Sequence, residues 1–425
     1  MKIIISHVFS KENKGDAALL SVLINDLKNI FDNPKITILT IDQVRKNEKF
    51  EEVPVRNAFM YWAITRYENR ALKLLYAFFV MASTLLWAVL YRIAKVNLPL
   101  PSHLQELCAL YRETNLIAPV GGGYLRGNPE YGSTVILLLL LHPLLLSAIL
   151  GKPTILYAQS IGPFGSKLQR YFATYILKKM DGIIVREDVS FTLLQRFGLT
   201  NMTRSIDSGF SLSTAIRRDL HADFSIPRIV PIIGVTVRKW LNQAAQAQYE
   251  QAVATFADAV IRDYAMTVLF IPQVTAKYHH DDDRDTAERV YIRMNEKEGA
   301  RILHNDYDHY EIKAVYNDLD FVIGTRFHSV IFSLTSYVPA IAIEYEYKTS
   351  GIMHDLGLDT WVIKIEDVTA EKLLILFKEL VAEQSSYKKH LAAVLPDYIK
   401  RAHATPLILK QKYEQYETVR QHKIK

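Results

Sequence analysis

Short apolar runs recur along this chain, each closed by a glycine, a proline or a charged residue and each followed by a segment with helical apolar spacing. Residues 2–9, 36–41, 116–120, 154–158 and 183–185 read as strands in the first half, and residues 232–237, 267–271, 300–303, 321–323 and 340–343 in the second. Between them, residues 17–30, 167–180, 249–264, 284–297 and 310–316 read as helices, and Gly198 stops another that carries Phe191, Leu194 and Phe197. Strand, loop, helix, strand is the grammar of a parallel α/β sheet. A polar, proline-punctuated stretch over 213–230 divides the chain, and its 425 residues leave each half long enough for its own core. The pattern therefore predicts a Rossmann-like domain over 1–212, a second over 230–365, and C-terminal helices with a basic tail over 366–425.

Two segments interrupt that grammar. Residues 74–91 and 133–150 carry no charge and are just short of the roughly 20 apolar residues a membrane span needs. The second follows a glycine-rich strand end and reads as a helix buried against a sheet. The first belongs to an apolar insertion over about 58–100, holds Tyr76, Phe78, Phe79, Trp87 and Tyr91, and is flanked by Arg66, Arg70, Lys73, Arg92 and Lys95. Aromatics and basic flanks suit an interfacial or re-entrant anchor over 66–95; a true span and an apolar helical hairpin packed on the domain are the other readings. The net charge of +6 suits an anionic substrate or an acidic membrane surface and is too small to argue for nucleic acid. With a single cysteine, Cys108, no intrachain disulfide or thiolate metal cluster can form, and a reducing compartment fits. The first apolar run is too short for a signal peptide, so a cytoplasmic protein is expected, in contact with the inner face of the plasma membrane if residues 66–95 anchor it.

Ligands of parallel sheets bind outside the carboxyl ends of the strands, and the candidate chemistry lies there. The stretch GTRFHSVIFSLTSYVPAIAIEYEYK places Arg326 and His328 after one strand and Glu344, Glu346 and Lys348 after the next. Arg186 follows a strand in the first half and Arg238 one in the second. Gln159 and Ser160 follow a third, Gly15 and Asp16 open the first helix, and Gly121, Gly122 and Gly123 end the strand over 116–120. Consecutive glycines let backbone amides approach a ligand, as in phosphate-cradling loops, or simply make a tight turn. Neither common nucleotide fingerprint follows them. The run His279, His280, Asp281, Asp282, Asp283 reads as a solvated helix start with acids in its first turn, because adjacent residues cannot all face one metal ion. Facing each other across a cleft, the two α/β halves would make a two-domain transferase with a glycosyltransferase-B-like fold.

In order and spacing, these pieces resemble the polysaccharide pyruvyl transferases over most of residues 3–360: Gly15-Asp16-Ala17-Ala18; Gly121-Gly122-Gly123; Ala158-Gln159-Ser160-Ile161-Gly162-Pro163; Arg186-Glu187 with Ser190 and Leu194; Asp207 with Phe210; Arg326-x-His328; and Gly351 after Lys348. The resemblance implies transfer of pyruvate from phosphoenolpyruvate to two hydroxyls of one sugar, in a glycan or lipid-linked oligosaccharide, leaving a cyclic ketal and phosphate. It implies no metal and no cofactor beyond that donor. So small and negative a donor needs fixed cations, for which Arg186 and Arg326 are the first candidates, with Lys348 and Arg238. Protonating the enol carbon while a hydroxyl attacks suits an imidazole, which assigns acid/base work to His328; capping the following helix is its structural alternative. Asp16 and Glu344 either orient sugar hydroxyls or pair with a cation, and Lys348 can fold back onto Glu344. A nucleotide-sugar glycosyltransferase and a non-catalytic member of a polysaccharide assembly complex are the competing functions.

Overall fold

The computed structural model describes residues 1–276 and 281–424 and divides the chain into two units. The first comprises Met1–Ser10, Leu19–Ser208 and Arg401–Lys425; the second comprises Lys11–Ala18 and Gly209–Lys400.

In the first unit, β1 (Lys2–Val8) is flanked by β2 (Lys35–Thr40) and β5 (Leu116–Pro119), with β4 (Val53–Asn57) beyond β2 and a short β3 (Lys49–Phe50) at the edge. A second set of strands, in the order β6 (Gly122–Gly127), β7 (Ile155–Phe164), β8 (Gly182–Val185) and β9 (Met202–Arg204), meets the first where Ile117 bridges Thr154. All these pairings are parallel except β3 with β4. Residues Ile3, Ile5, Ile38, Leu116, Ala118 and Tyr157 bury one face against Leu19, Leu23 and Leu27 of α1 (Lys14–Ile30), the other face being covered by α4 (Ser102–Glu113) and its neighbours.

One reading of this unit holds and one needs correction. The strand expected to end before the glycines does so, as β5 closes at Pro119, but Gly122 and Gly123 then open a separate strand, β6, and the next helix, α5 (Tyr131–Leu150), starts well beyond them. Gly121 lets the chain pass close to β7, since a Cβ there would lie 3.0 Å from the Ala158 carbonyl oxygen and 3.1 Å from that of Tyr157. The strand expected over 154–158 runs on to Phe164, through a bulge at Ala158, whose φ is +46°. The strand passes through Gly162 and Pro163 because this half of β7 pairs only at Gln159, Ile161 and Phe164, so Pro163 is not required to donate.

The apolar insertion forms α2 (Phe59–Thr65) and α3 (Arg70–Ala94). One face of α3, with Ala77, Val80, Thr84, Trp87 and Ala88, is buried against α5 and α4. The buried Thr84 hydroxyl meets His142 Nε2 of α5 at 2.8 Å. Helices α6 (Lys167–Leu177) and α7 (Asp188–Arg196) follow β7 and β8.

The second unit, after a short α8 (Leu220–Asp223), is a six-stranded sheet. Its strands are β10 (Ile232–Thr236), β11 (Thr267–Phe270), β14 (Ala300–Ile302), β15 (Phe321–Gly324), β16 (Ala340–Glu344) and β17 (Val362–Lys364). All pair in parallel, in the spatial order β14-β11-β10-β15-β16-β17. A small antiparallel pair, β12 (Thr275–Ala276) with β13 (Asp281–Asp282), follows β11. The crossovers are α9 (Gln243–Tyr264), α10 (Asp283–Arg293), α11 (His309–Tyr316), α12 (Phe327–Thr335) and α13 (Lys348–Asp355). Counted along the chain, the six strands stand in the order 3-2-1-4-5-6, a doubly wound Rossmann arrangement whose direction reverses between β10 and β15. The C-terminal residues are helical, as α14 (Ala370–Ala382), α15 (Gln384–His403) and α16 (Thr405–Ile424), and divide between the units at Arg401.

Candidate functional site at the switch point of the second unit

The point where strand order reverses opens a crevice at the carboxyl ends of two adjacent strands. Here those ends carry Thr236 and Gly324, in register with each other. The Thr236 hydroxyl accepts the backbone amides of Thr325 at 2.8 Å and Arg326 at 3.3 Å, so the side chain of one strand shapes the loop after the next. Gly324 allows α12 to start close by: a Cβ there would stand 2.8 Å from Val330 Cγ2 and 3.0 Å from Ser329 Oγ.

Arg326 turns its guanidinium onto Asp283. Nε donates to both carboxylate oxygens at 3.2 and 3.1 Å, Nη2 donates to Oδ1 at 2.6 Å, and Nη2 also reaches Asp281 Oδ1 at 2.7 Å. Asp283 is 1% exposed and accepts the amides of Gln273 and Val274 as well, each at 3.0 Å. Burial pushes its carboxyl up from the usual range, while the charge and hydrogen bonds of Arg326 pull it back. For Arg326, burial is outweighed by Asp283 and Asp281, which hold it above the ordinary arginine range. Its Nη1 has no protein partner among the described residues, so one edge of a firmly fixed cation remains for a ligand. Asp283 thus departs from the expected solvated helix start: α10 does begin there, but buried on Arg326. His279 and His280 lie outside the described residues.

Arg238, just past β10, lies against two touching aromatic rings, 4.6 Å from the centroid of Trp240 and 4.2 Å from that of Tyr345. It is 9% exposed, its buried Nε has no hydrogen-bond partner, and it forms no ion pair among the described residues. Burial and the nearby Arg326 cation lower its pKa, against the pull of Tyr345, Asp281 and Asp283. A guanidinium does not deprotonate in a protein, so this is a buried charge with unused donors. Lys348 opens α13 and pairs with Glu346 at 2.8 Å, its ammonium 5.3 Å from the Phe327 ring and 5.9 Å from Tyr345. The lysine therefore folds onto Glu346 rather than Glu344; Glu344, ending β16, accepts from the Ser350 hydroxyl.

His328 lies inside the first turn of α12, whose cap position belongs to Arg326, so it is not the helix cap. Its ring abuts Gly15, where a Cβ would fall 1.9 Å from Nδ1. The segment that brings Gly15 there is stitched to the loop after β11: Lys14 N donates to the Gln273 carbonyl at 2.9 Å, Thr275 N to that of Glu12 at 3.0 Å, and Asn13 bridges Val274. Asn13 Oδ1 accepts the amides of Gly15 and Asp16 at 3.1 and 3.3 Å, and its Nδ2 donates to Asp16 Oδ2 at 3.0 Å. Residues from opposite ends of the sequence, Asp16 and His328, are thereby drawn into one neighbourhood.

The other predicted residues sit in the first unit. Arg186 is 1% exposed, with Nη1 on Asp207 at 2.6 Å and Nε on Ser160 Oγ at 2.8 Å. Gln159, fully buried, donates to the carbonyl of Val120 and to Tyr124 Oη at 2.7 Å, and its Oε1 accepts no hydrogen bond. Gly121, Gly122 and Gly123 join β5 to β6 beside it. Sequence reasoning did not single out Asp283 as Arg326's partner, the Trp240–Tyr345 pair, or Gly15 as the seat of His328. The aromatics were visible near the cations, but the partner carboxylate was read as solvated.

The model of the polysaccharide pyruvyl transferase family matches residues 13–347. The amylovoran biosynthesis protein AmsJ of Erwinia amylovora is 25% identical over 288 residues, 62% of this chain and 64% of that protein, so the match spans less than two thirds of its relative's length. Among solved structures, a glycosyltransferase from Rickettsia africae superposes with TM-score 0.56 at 11% identity over 98% of both chains. Anabaena HepE in complex with UDP-glucose gives 0.55 at 12% identity over 99% of this chain and 100% of that one. Likenesses this distant establish the fold alone, an α/β protein of two Rossmann-like domains of the glycosyltransferase-B kind.

Proposed function

We propose that this chain, which belongs to the polysaccharide pyruvyl transferase family, transfers pyruvate from phosphoenolpyruvate to two hydroxyls of a sugar in an exopolysaccharide or cell-envelope glycan precursor. A role in polysaccharide biosynthesis follows from the family and from the likeness to AmsJ; the donor and the ketal product are our reading. The observation that carries it is Arg238, a buried cation with an unused Nε beside the open edge of Arg326. Such a pair suits a small dianionic or trianionic ligand better than a neutral sugar.

In this reading Arg238, Arg326 and Lys348 hold the phosphate and carboxylate. A proton is added to C3 of the enol, a sugar hydroxyl attacks C2 and loses its proton, and the C2–O bond to phosphate breaks. The second hydroxyl then closes the ring, so one phosphoenolpyruvate and two hydroxyls yield one ketal and one phosphate. His328, at the same strand end as Arg326, is the group that gives and takes those protons, with Asp16 orienting a hydroxyl. The reaction calls for no cofactor beyond the donor. Arg186 serves in its own unit as the buried partner of Asp207, tying the chain just past β8 to Ser160 in the middle of β7.

HepE, solved with UDP-glucose, motivates one competing reading, a nucleotide-sugar donor. The test is donor dependence with a lipid-linked oligosaccharide acceptor: phosphate release with phosphoenolpyruvate, abolished in Arg238→Ala, is expected. Turnover with a nucleotide sugar and none with phosphoenolpyruvate would overturn the proposal. Full pyruvylation of the polymer in cells carrying His328→Ala and Arg326→Ala would instead favour a scaffold role.

A further inference from the structure

Helix α3 is apolar on both sides, and a helix apolar all round is ordinarily buried all round. Here only one side is covered. Ala77, Val80, Thr84, Trp87 and Ala88 face the unit's own core. On the opposite side Leu72, Leu75, Phe78, Leu86, Val89 and Ile93 are exposed, Leu75 by 66%, Phe78 by 68% and Ile93 by 78%. With the exposed Ala82 between Phe78 and Leu86, the residues along that side recur at spacings of three and four, so they form one continuous stripe. Over its most apolar window α3 is 28% buried, against 50% for α5, the other helix of comparable length and composition among the described residues. From Leu72 to Ile93 the stripe runs for about 32 Å.

The charges around the stripe choose its partner. Arg66 and Arg70 stand exposed before it, Arg92 and Lys95 exposed after it, and Glu68 is the sole acid between Arg66 and Val96. A second copy of the chain would make a self-complementary contact. In either orientation such a contact brings basic ends against basic ends, with almost no carboxylate to pair them. An anionic headgroup layer reverses the sign of that interaction. A bilayer-spanning path is also disfavoured, because the inner face of α3 is fastened to α5, which itself packs on β6 and α6. We infer that α3 lies in the plane of an anionic lipid surface, its exposed stripe in the acyl boundary and its basic ends at the headgroups. This inference stands whether or not the proposed reaction does.

The test uses the full chain with vesicles of phosphatidylcholine alone or with roughly a third phosphatidylglycerol. The chain should sediment with the anionic vesicles at low salt and much less with the neutral ones. Leu75→Glu with Phe78→Glu should reduce association about tenfold or more, at an unchanged melting temperature because both side chains are already exposed. Neutralising Arg66, Arg70 and Lys95 to Gln should weaken it roughly fivefold per charge without touching the stripe, which keeps the test independent of the first variant. Absence of vesicle association at low salt overturns the inference. A dimer in solution that Leu75→Glu with Phe78→Glu converts to monomer, with no vesicle binding by either form, overturns it in favour of a copy-to-copy interface.

Discussion

Replacing Gly15 by alanine is the smallest change that should move the candidate acid/base without touching it chemically. The added methyl would lie 1.9 Å from His328 Nδ1 and 2.4 Å from Cγ. Ordinary contact is about 3.5 Å, so the ring must retreat by about 1.5 Å. What must yield is the whole His328 ring, Cγ included, which packs 5.1 Å from the Phe327 ring; against that, Gly15 lies in the first turn of α1, where alanine is the better helix former by up to about 1 kcal/mol. Stability should therefore fall by about 1–3 kcal/mol, the usual cost of overpacking, offset in part by that gain. Turnover should fall about a hundredfold, the usual consequence of a misplacement of an ångström or more at a reacting centre. Phosphate release from phosphoenolpyruvate with a lipid-linked oligosaccharide measures the second effect, and denaturant unfolding the first. If alanine acts only through the ring, Gly15→Ala with His328→Ala should be no slower than His328→Ala alone. A folded Gly15→Ala protein with undiminished turnover would refute the reasoning, since the position of the imidazole would then not matter.

Two further outcomes follow from buried charges. Asp283→Ala should cost about 3–5 kcal/mol in denaturant unfolding, because it strands the Arg326 cation in a dry site, whereas Asp281→Ala, whose side chain is 40% exposed, should cost less than about 1 kcal/mol. His142 is buried, and its pKa falls to about 3 through desolvation. The unfolded imidazole takes up its proton near 6.5, so stability from this site is present above that pH and is lost as pH falls toward the folded value. His7, lowered to about 4, acts in the same direction; Asp26 and Asp181, each raised to about 6, act in the opposite one. The single-site difference isolates the effect: the stability gap between the native chain and His142→Gln should narrow by about 2 kcal/mol between pH 6.5 and 5, and a constant gap in pH-dependent melting would contradict the burial argument.

Much of the sheet framework was legible because a buried strand declares itself in adjacent residues. The runs at 232–237, 321–323 and 340–343 are strands β10, β15 and β16, and Arg238 and Arg326 lie just beyond the first two. What misled was punctuation. Glycine and proline at 162–163 mark ends in most contexts, yet here β7 runs through them to Phe164; at 121–123 β5 has already ended at Pro119, and the glycines open a second strand, β6. Asp283 was read as solvated for a related reason: three consecutive acids look like a water-facing turn until one is known to be buried on an arginine 43 residues later.

By itself, the sequence determined the two α/β halves, the cations after their strands, and an apolar helix with basic ends, since each is written in residues a few positions apart. Only the tertiary structure decided that Arg326 spends two nitrogens on Asp283 and keeps one, that Arg238 lies against two aromatic rings without a carboxylate, and that Gly15 seats His328. The same holds for α3: composition could not say which of its two apolar sides the protein covers. Strand order and crossovers bring residues from distant segments together, and the side-chain pairings that result leave no periodic trace along the chain.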